Sequence, residues 1–276
     1  MTCDVRLLTF HRDGSLRPGL VTPEGVAELA AGDFNTLLSM PPKEVESLAT
    51  GPRLEEAGLR LGPCSPRPGK IVCVGLNYRR HAEESGMPVP EAPILFSKFA
   101  NTLAASGDGV RLPAVAQQYD YEAELGVVIG RPARDVSEAV ALDHVWGYCC
   151  CNDVSARDLQ FRSTQWLLGK SLDGFLPVGP HLVSADEAGD PQTMRLRCLV
   201  NGDVRQDSST ADMVFGVAEL VSYASRFWTL EPGDIIATGT PSGVAQGRPD
   251  RPWLRPGDEV VVDIDRLGRL VNRMAA

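Results

Sequence analysis

The chain has 276 residues, 43% of them hydrophobic and 23% charged, and its formal net charge is −9. This composition is typical of a globular protein with one large or two modest domains. The acidic balance argues against a non-specific nucleic-acid binder, and no apolar run approaches the roughly 20 residues of a membrane-spanning helix.

The cysteines and the N-terminus both bear on location. The seven cysteines form no CxxC pair and no disulfide-like framework, so we expect reduced, buried thiols, including the run Cys149–Cys151. The N-terminal residues lack the basic and apolar regions of a secretory signal. Together these features predict a cytoplasmic protein.

The N-terminal part of the chain has a different sequence pattern from the rest. Asp13–Gly14 predicts a turn between short strands, and residues 34–40 and 44–61 are expected to be helical. Residues 62–70 are rich in proline and glycine and indicate a boundary. We therefore predict a small N-terminal α+β domain over residues 1–65 and a larger catalytic domain over residues 66–276.

Short runs of β-branched and apolar residues dominate beyond that boundary. They lie at residues 70–76, 93–99, 124–130, 144–154, 195–202, 233–239 and 258–272. Two segments between them, 138–145 and 214–228, have helical patterns, and the second carries an apolar stripe at helical spacing. The sum is an α+β fold dominated by strands.

One stretch of a predicted strand raises a chemical question. In YDYEAELGVVIG, residues 119–130, Asp120, Glu122 and Glu124 alternate, which predicts three carboxylates on one strand face. A hard divalent cation, Mg²⁺ or Mn²⁺, would make this tolerable because it binds carboxylate oxygens. The rival interpretation is a solvated face paired with lysine or arginine. If the carboxylates repel one another, Glu122→Gln should leave the metal-free protein equally or more stable.

Further polar residues gather where predicted strands end. Asn152 and Asp153 lie where the predicted strand of the run 144–154 ends, and Lys170 lies in a predicted loop rich in glycine and proline. His81 and Glu84 are three apart, a spacing that lets a carboxylate orient an imidazole on a helical turn. The loop after residue 239 offers backbone N–H groups of the kind that bind anionic oxygens.

In combination these motifs resemble the fumarylacetoacetate hydrolase family, over roughly residues 70–273. The resemblance rests on six motifs in one order: GLNYRRHAEE, FSKF, DYEAELGVVIG, GYCCCNDVSARDLQ, GKSLDGFLPVGP and IIATGTPSGV. It implies a mixed β-sandwich roll with a divalent metal at one mouth. It also implies a homodimer.

The same resemblance assigns roles to individual residues. It implies that Glu122, Glu124 and Asp153 ligate Mg²⁺ or Mn²⁺. Lys170 matches the family's active-site lysine, and His81 with Glu84 matches a catalytic dyad on a mobile lid. Residues expected to line the substrate site are Arg157, Gln160, Thr240 and Lys98, the last of which either reaches the pocket or extends from a strand end towards solvent.

The implied chemistry begins with a small-molecule 2-oxo acid, whose ketone a divalent cation polarises towards an enolate. The leading prediction is hydrolysis of a C–C bond in a 2,4-dioxo acid, either an acylpyruvate or a diketo deoxy-sugar acid. The alternatives on the same site are decarboxylation of an oxaloacetate-like acid and enol–keto isomerisation. A different class, a non-catalytic metal-stabilised binding protein, also stays open. No GxxxxGK[ST] pattern supports phosphoryl transfer.

Overall fold

The computed structural model describes residues 5–30 and 33–276, and strands dominate within them. The α-helices are α1 Phe34–Leu38, α2 Pro42–Glu46, α3 Arg79–Glu84, α4 Glu138–Ala141, α5 Arg157–Gln160, α6 Leu167–Lys170, α7 Ala185–Ala188 and α8 Val217–Ser225. The strands are β1 Arg6–Arg12, β2 Ser15–Thr22, β3 Gly25–Leu29, β4 Ala49–Leu54, β5 Leu61–Gly62, β6 Ile71–Gly75, β7 Ile94–Ser97, β8 Leu103–Ala104, β9 Gly109–Arg111, β10 Tyr119–Asp120, β11 Ala123–Ile129, β12 Val145–Asn152, β13 Ser155–Ala156, β14 Leu176–Ser184, β15 Arg195–Val200, β16 Asp203–Ser209, β17 Ile235–Ala237, β18 Glu259–Ile264 and β19 Gly268–Ala275. Short 3₁₀ turns lie at Glu56–Gly58, Ala100–Thr102, Leu142–His144, Thr210–Asp212 and Ala245–Gly247.

Two large sheets make up the fold. The first runs β4-β3-β2-β1-β14-β12-β11-β17-β6-β7, with β5 on β1 and β8 on β14. The second runs β16-β15-β18-β19-β9, and β10 pairs separately with β13. Most neighbours are antiparallel, but β17 and β6 are parallel, so the first sheet is mixed. This architecture confirms the predicted α+β fold dominated by strands, with mixed strand pairing.

Strand β11 is buried on both faces, which explains why its sequence is almost continuously apolar. Leu125 and Val127 belong to the core between the two sheets, together with Leu196 of β15 and Val262 of β18. Val128 faces the opposite side and joins a second core. The central strand therefore contributes side chains to both cores.

The pairing of β11 with β12 places the polar residues at one end of the sheet. The register sets Ala123 opposite Asn152, and Glu124 opposite Cys151. The Asp153 N–H donates to the Glu122 carbonyl at 2.9 Å, just beyond these paired ends. Glu122 and Asp153 are therefore neighbours although 31 positions separate them in the sequence.

The N-terminal segment contains one wrong prediction. Residues 44–61 are not a helix throughout, because α2 ends at Glu46 and β4 follows. Gly51 adopts a positive φ of 72°, and Pro52 has no N–H to donate, so a helix cannot continue there. The turn at Asp13–Gly14 is present, with both residues at positive φ. Strand β1 pairs with β14, and the division at residue 65 stays a prediction.

The cysteine prediction is confirmed for the described thiols: Cys64, Cys73, Cys149, Cys150, Cys151 and Cys198 are all free and buried. Cys3 lies outside the described residues. Within the run of three, Cys150 packs in the core between the sheets while Cys149 and Cys151 pack on the other face. Over residues 5–30 and 33–276, no helix is long and apolar enough to cross a membrane.

Candidate metal centre and active site

Three carboxylates meet at the end of β11. Glu122, Glu124 and Asp153 each offer an oxygen, and these atoms all lie within 4.8 Å of one another. The three residues are at most 5% exposed. Glu122 directly precedes β11 and Glu124 is its second residue, so a two-residue spacing at the start of the strand brings the two glutamates together; the β11–β12 register adds the aspartate.

Two of these carboxylates have cationic partners. The Lys170 Nζ donates to Glu122 at 2.6 Å and to Asp153 at 2.8 Å. Arg157 donates to Glu122, and the fully buried Lys98 donates to Asp153. Burial opposes ionisation of Glu122, but Arg157 and Lys170 hold the pKa of its carboxyl well below its usual range. Glu122 is therefore a charge-balanced group.

Glu124 is in the opposite situation. One of its oxygens accepts the Gly239 N–H at 2.9 Å, and within the described part of the chain no lysine, arginine or histidine forms an ion pair with it. Burial, followed by the charges of Asp153 and Glu122, raises the pKa of its carboxyl well above the ordinary value. An unbalanced carboxylate beside two others fits a hard divalent cation, because all three candidate ligands are carboxylate oxygens.

Asp120 does not join this group, contrary to the expectation that three alternating carboxylates share one face. Its strand, β10, ends before β11 begins, so the alternation is interrupted. Its oxygens accept the Arg157 Nε–H at 2.8 Å and the N–H groups of Ala245 at 2.7 Å and Gln246 at 3.0 Å. Asp120 thus fixes Arg157 and a loop.

The predicted dyad is formed on α3. The His81 Nδ1 lies 3.2 Å from a Glu84 oxygen, and both side chains are largely buried. No hydrogen bond to Nε2 of His81 is present among the described residues. If the Nδ1–H donates to Glu84, the Nε2 lone pair is free to act as a base.

A cavity of about 350 Å³ contains the dyad together with the two glutamates of the triad. Glu122 and Glu124 line it, as do His81 and Glu84. Its apolar lining includes Phe96, Trp166 and Val244. The rings of Phe96 and Trp166 pack edge to face with centroids 5.3 Å apart.

The residues predicted to bind substrate divide into two groups. Arg157, Gln160 and Thr240 line the cavity, and Lys170 does so from the end of α6 rather than from a loop. Lys98 contacts Asp153 and the Val154 carbonyl. Since its side chain is fully buried, it does not extend towards solvent, and it is not part of the cavity lining.

The sequence did not assign a supporting role to two further residues, Asn152 and Gln206. Asn152 accepts the Glu122 N–H at 3.0 Å. Gln206 accepts the Ala123 N–H and donates to the Thr240 hydroxyl at 2.8 Å. Asn152 was visible beside Asp153 in the sequence, but Gln206 lies on a distant strand of the second sheet and no local pattern marks it.

The predicted anion-binding loop does bind anionic oxygens, but they belong to the protein. Its N–H groups receive three carboxylates: Glu124 on Gly239, Glu84 on Gly243, and Asp120 on Ala245 and Gln246. The loop thus connects the acidic triad, the dyad and the Arg157 anchor.

Comparison with known proteins places this fold and site in a class. Residues 70–275 match the fumarylacetoacetate (FAA) hydrolase C-terminal family. The chain therefore belongs to the fumarylacetoacetate hydrolase family, a group of enzymes that act on small molecules, as the sequence motifs predicted.

Individual relatives give finer detail. A human protein named oxaloacetate tautomerase FAHD2A, mitochondrial, is 46% identical over 98% of this chain and 92% of its own length. A fumarylacetoacetate hydrolase structure from Exiguobacterium antarcticum has a TM-score of 0.88 at 35% identity, covering 99% of both chains. A fumarylpyruvate hydrolase from Pseudomonas aeruginosa, in complex with Mn²⁺ and pyruvate, has a TM-score of 0.69 at 36% identity, covering 78% of this chain and 91% of its own.

Proposed function

We propose that the chain is a divalent-metal-dependent enzyme that moves a proton at C3 of a 2-oxo acid, and that its reaction is enol–keto tautomerisation of an oxaloacetate-like acid. The observation that carries this proposal is the oriented His81, which lines the same cavity as Glu122 and Glu124. The relative named oxaloacetate tautomerase, 46% identical over nearly the whole chain, favours tautomerisation over the hydrolysis that the sequence motifs place first.

Each group at the site has a task in this reaction. Glu122, Glu124 and Asp153 would hold Mg²⁺ or Mn²⁺, which when bound supplies a Lewis acid that polarises the 2-oxo carbonyl and stabilises the enolate. His81, with Nδ1 held by Glu84, takes the proton from C3 to leave the enolate and returns it in the reverse direction, while the enol oxygen exchanges its own proton with solvent. Lys170 donates hydrogen bonds within the triad and adds positive charge where the oxygen becomes negative.

C–C hydrolysis of a 2,4-dioxo acid is a second candidate. Phe96, Trp166 and Val244 give the cavity an apolar lining that suits the acyl part of an acylpyruvate better than the second carboxylate of oxaloacetate. The same His81 would then activate water instead of moving a substrate proton. The related fumarylpyruvate hydrolase structure supports this reaction in the family.

A substrate panel tests both candidates. The purified chain, with Mg²⁺ or Mn²⁺ and again with EDTA, is given oxaloacetate enol, acylpyruvates and diketo sugar acids. Enol absorbance, pyruvate and CO₂ are followed. Metal-dependent loss of oxaloacetate enol with no CO₂ supports the tautomerase, and pyruvate release from an acylpyruvate supports the hydrolase. CO₂ release from oxaloacetate identifies a decarboxylase. If no substrate reacts with either metal, the enzyme proposal is wrong and a metal-stabilised binding protein is favoured.

A cytoplasmic homodimer completes the proposal. The dimer comes from family resemblance, and measurement of molar mass in solution by light scattering tests it. A mass near the 29.7 kDa of one chain would contradict it.

A further inference from the structure

The carboxylate of Glu84 makes two kinds of contact. It lies 3.2 Å from the Nδ1 of His81, and its oxygens accept the Gly243 N–H at 2.9 and 3.1 Å. The first contact orients the imidazole. The second ties the last turn of α3 to the loop that follows β17.

The two ends of α3 are held differently. At its start, the Asn77 side chain donates to the carbonyls of Phe215 and Thr238, and Arg79 donates to the Met213 carbonyl. At its end, the Glu84 carboxylate accepts the hydrogen bonds that join the helix to the rest of the protein, as far as the described residues show. The position of His81 over the cavity therefore depends strongly on where Glu84 is seated.

Gly247 lies against the side chain of Glu84 as well. A Cβ at this position would overlap the Cδ of Glu84 and lie 2.7 Å from its Oε1. Real Cβ contacts are essentially never this short. The backbone of Gly247 is not in the left-handed region, so the restriction at this position comes from space and not from conformation.

The loop that carries Gly247 is held in place relative to the acidic triad. Asp120 accepts the N–H groups of Ala245 and Gln246, immediately before Gly247. The same Asp120 holds Arg157, and Arg157 donates to Glu122. A continuous set of buried hydrogen bonds thus runs from a triad carboxylate to the loop beneath Glu84.

We propose that the Gly243 N–H and the bare Cα of Gly247 form a seat for the Glu84 carboxylate, and that Gly247 is a positioning residue setting the dyad relative to the triad. This inference rests on the proposed function for its kinetic consequence. Any side chain at residue 247 displaces Glu84, and with it both the imidazole and the end of α3.

A double-mutant cycle tests the seat. Gly247→Ala is made in the wild-type and in the Glu84→Ala background, with Gly58→Ala as the matched control, since a Cβ at Gly58 meets no atom within 4 Å. Three quantities are measured: kcat, metal affinity by calorimetry, and hydrogen–deuterium exchange over residues 79–87. Gly247→Ala should lower kcat by about 10²-fold, the effect of misplacing a catalytic group by about 1 Å, with metal affinity unchanged.

In the Glu84→Ala background the same change should cost nothing further in kcat or exchange, because the side chain that the new Cβ would strike is gone. The inference is overturned if Gly247→Ala has the same cost in both backgrounds, or if wild-type activity and slow exchange survive it. The exchange arm needs no substrate. If the wild-type enzyme turns over nothing, the proposed function fails while exchange still decides whether the seat exists.

Discussion

Replacing Glu124 by glutamine distinguishes a metal site from a purely ion-paired cluster. Glutamine keeps the shape of the side chain and removes a buried charge that has no cationic partner among the described residues. In metal-free protein the free energy of unfolding should therefore stay the same or increase. The sequence alone predicts an unchanged or higher metal-free stability for Glu122→Gln. The structure instead predicts it for Glu124→Gln, because Glu122 is paired with Arg157 and Lys170.

Glu122→Gln should behave in the opposite way. It deprives two buried cations of a shared partner, and breaking a buried ion pair from one side costs about 3–5 kcal/mol. The two variants change the same chemical group two positions apart, so each serves as the matched control for the other. Their metal-free stabilities should differ by several kcal/mol on this reasoning.

Metal should stabilise the wild type more than either variant, because both glutamates are proposed ligands. A ligand that binds only the folded state stabilises it by about 2.7 kcal/mol at a free concentration of 100 Kd. Wild-type protein should gain that amount on addition of Mg²⁺ or Mn²⁺, and Glu124→Gln should lose most of it.

The pH dependence gives an independent check. The folded state raises the pKa of Glu124 above its ordinary value of 4.5, so the folded protein binds more protons than the unfolded chain above that pH. Stability of the metal-free wild type should consequently fall as pH rises beyond about 4.5, and Glu124→Gln should lack that component. Urea denaturation with EDTA and with excess metal, at several pH values, measures all of these quantities. Equal destabilisation of both metal-free variants, or an unchanged metal response in Glu124→Gln, would refute the reasoning.

Three further outcomes are expected. His81→Ala should lower kcat by about 10²–10⁴ at unchanged metal affinity, and adding Glu84→Ala should cost little more; a wild-type rate in steady-state assays would exclude the dyad. In a Cys3→Ser variant, the six described cysteines should react with a thiol reagent only after unfolding, and rapid labelling of the native protein would contradict their burial. The hydrogen bond from His181 lowers the pKa of Glu56. This surface pair should therefore add under about 1 kcal/mol to the free energy of unfolding, and that contribution should be lost as pH falls below about 4.5. If Glu56→Gln changed the free energy of unfolding equally at pH 3 and pH 7, the pair would not act in this way.

The parts of the site that sequence predicts are those set by local periodicity. The two-residue spacing at the start of β11, which Glu122 directly precedes, places Glu122 beside Glu124, and the three-residue spacing on α3 places His81 beside Glu84. These relations depend on a few consecutive residues and need no knowledge of the fold. Asp153 required family resemblance, because its place in the triad depends on the β11–β12 register.

The parts that sequence does not predict are set by contacts between distant segments. Lys98, Arg157 and Lys170 come from three different elements, and nothing near them in the sequence shows that they balance Glu122 and Asp153. The same limit applies to the helix expected over residues 44–61. Its charged and apolar residues suit a helix, but Gly51–Pro52 and pairing with β3 decide in favour of a strand.

Asp120 and the three carboxylates of the triad are accommodated in three different ways, and the comparison shows which of the four has no cationic partner among the described residues. Glu122 and Asp153 face buried cations, and Asp120 faces both Arg157 and backbone N–H groups. Glu124 has a single N–H donor and two negative neighbours. Because each other carboxylate has a cationic partner, the unbalanced charge lies at one edge of the triad, where its oxygen and those of Glu122 and Asp153 converge. A divalent ion bound there would neutralise Glu124 without displacing Arg157 from Asp120, so metal binding and the support of the loop beneath Glu84 are compatible in one structure.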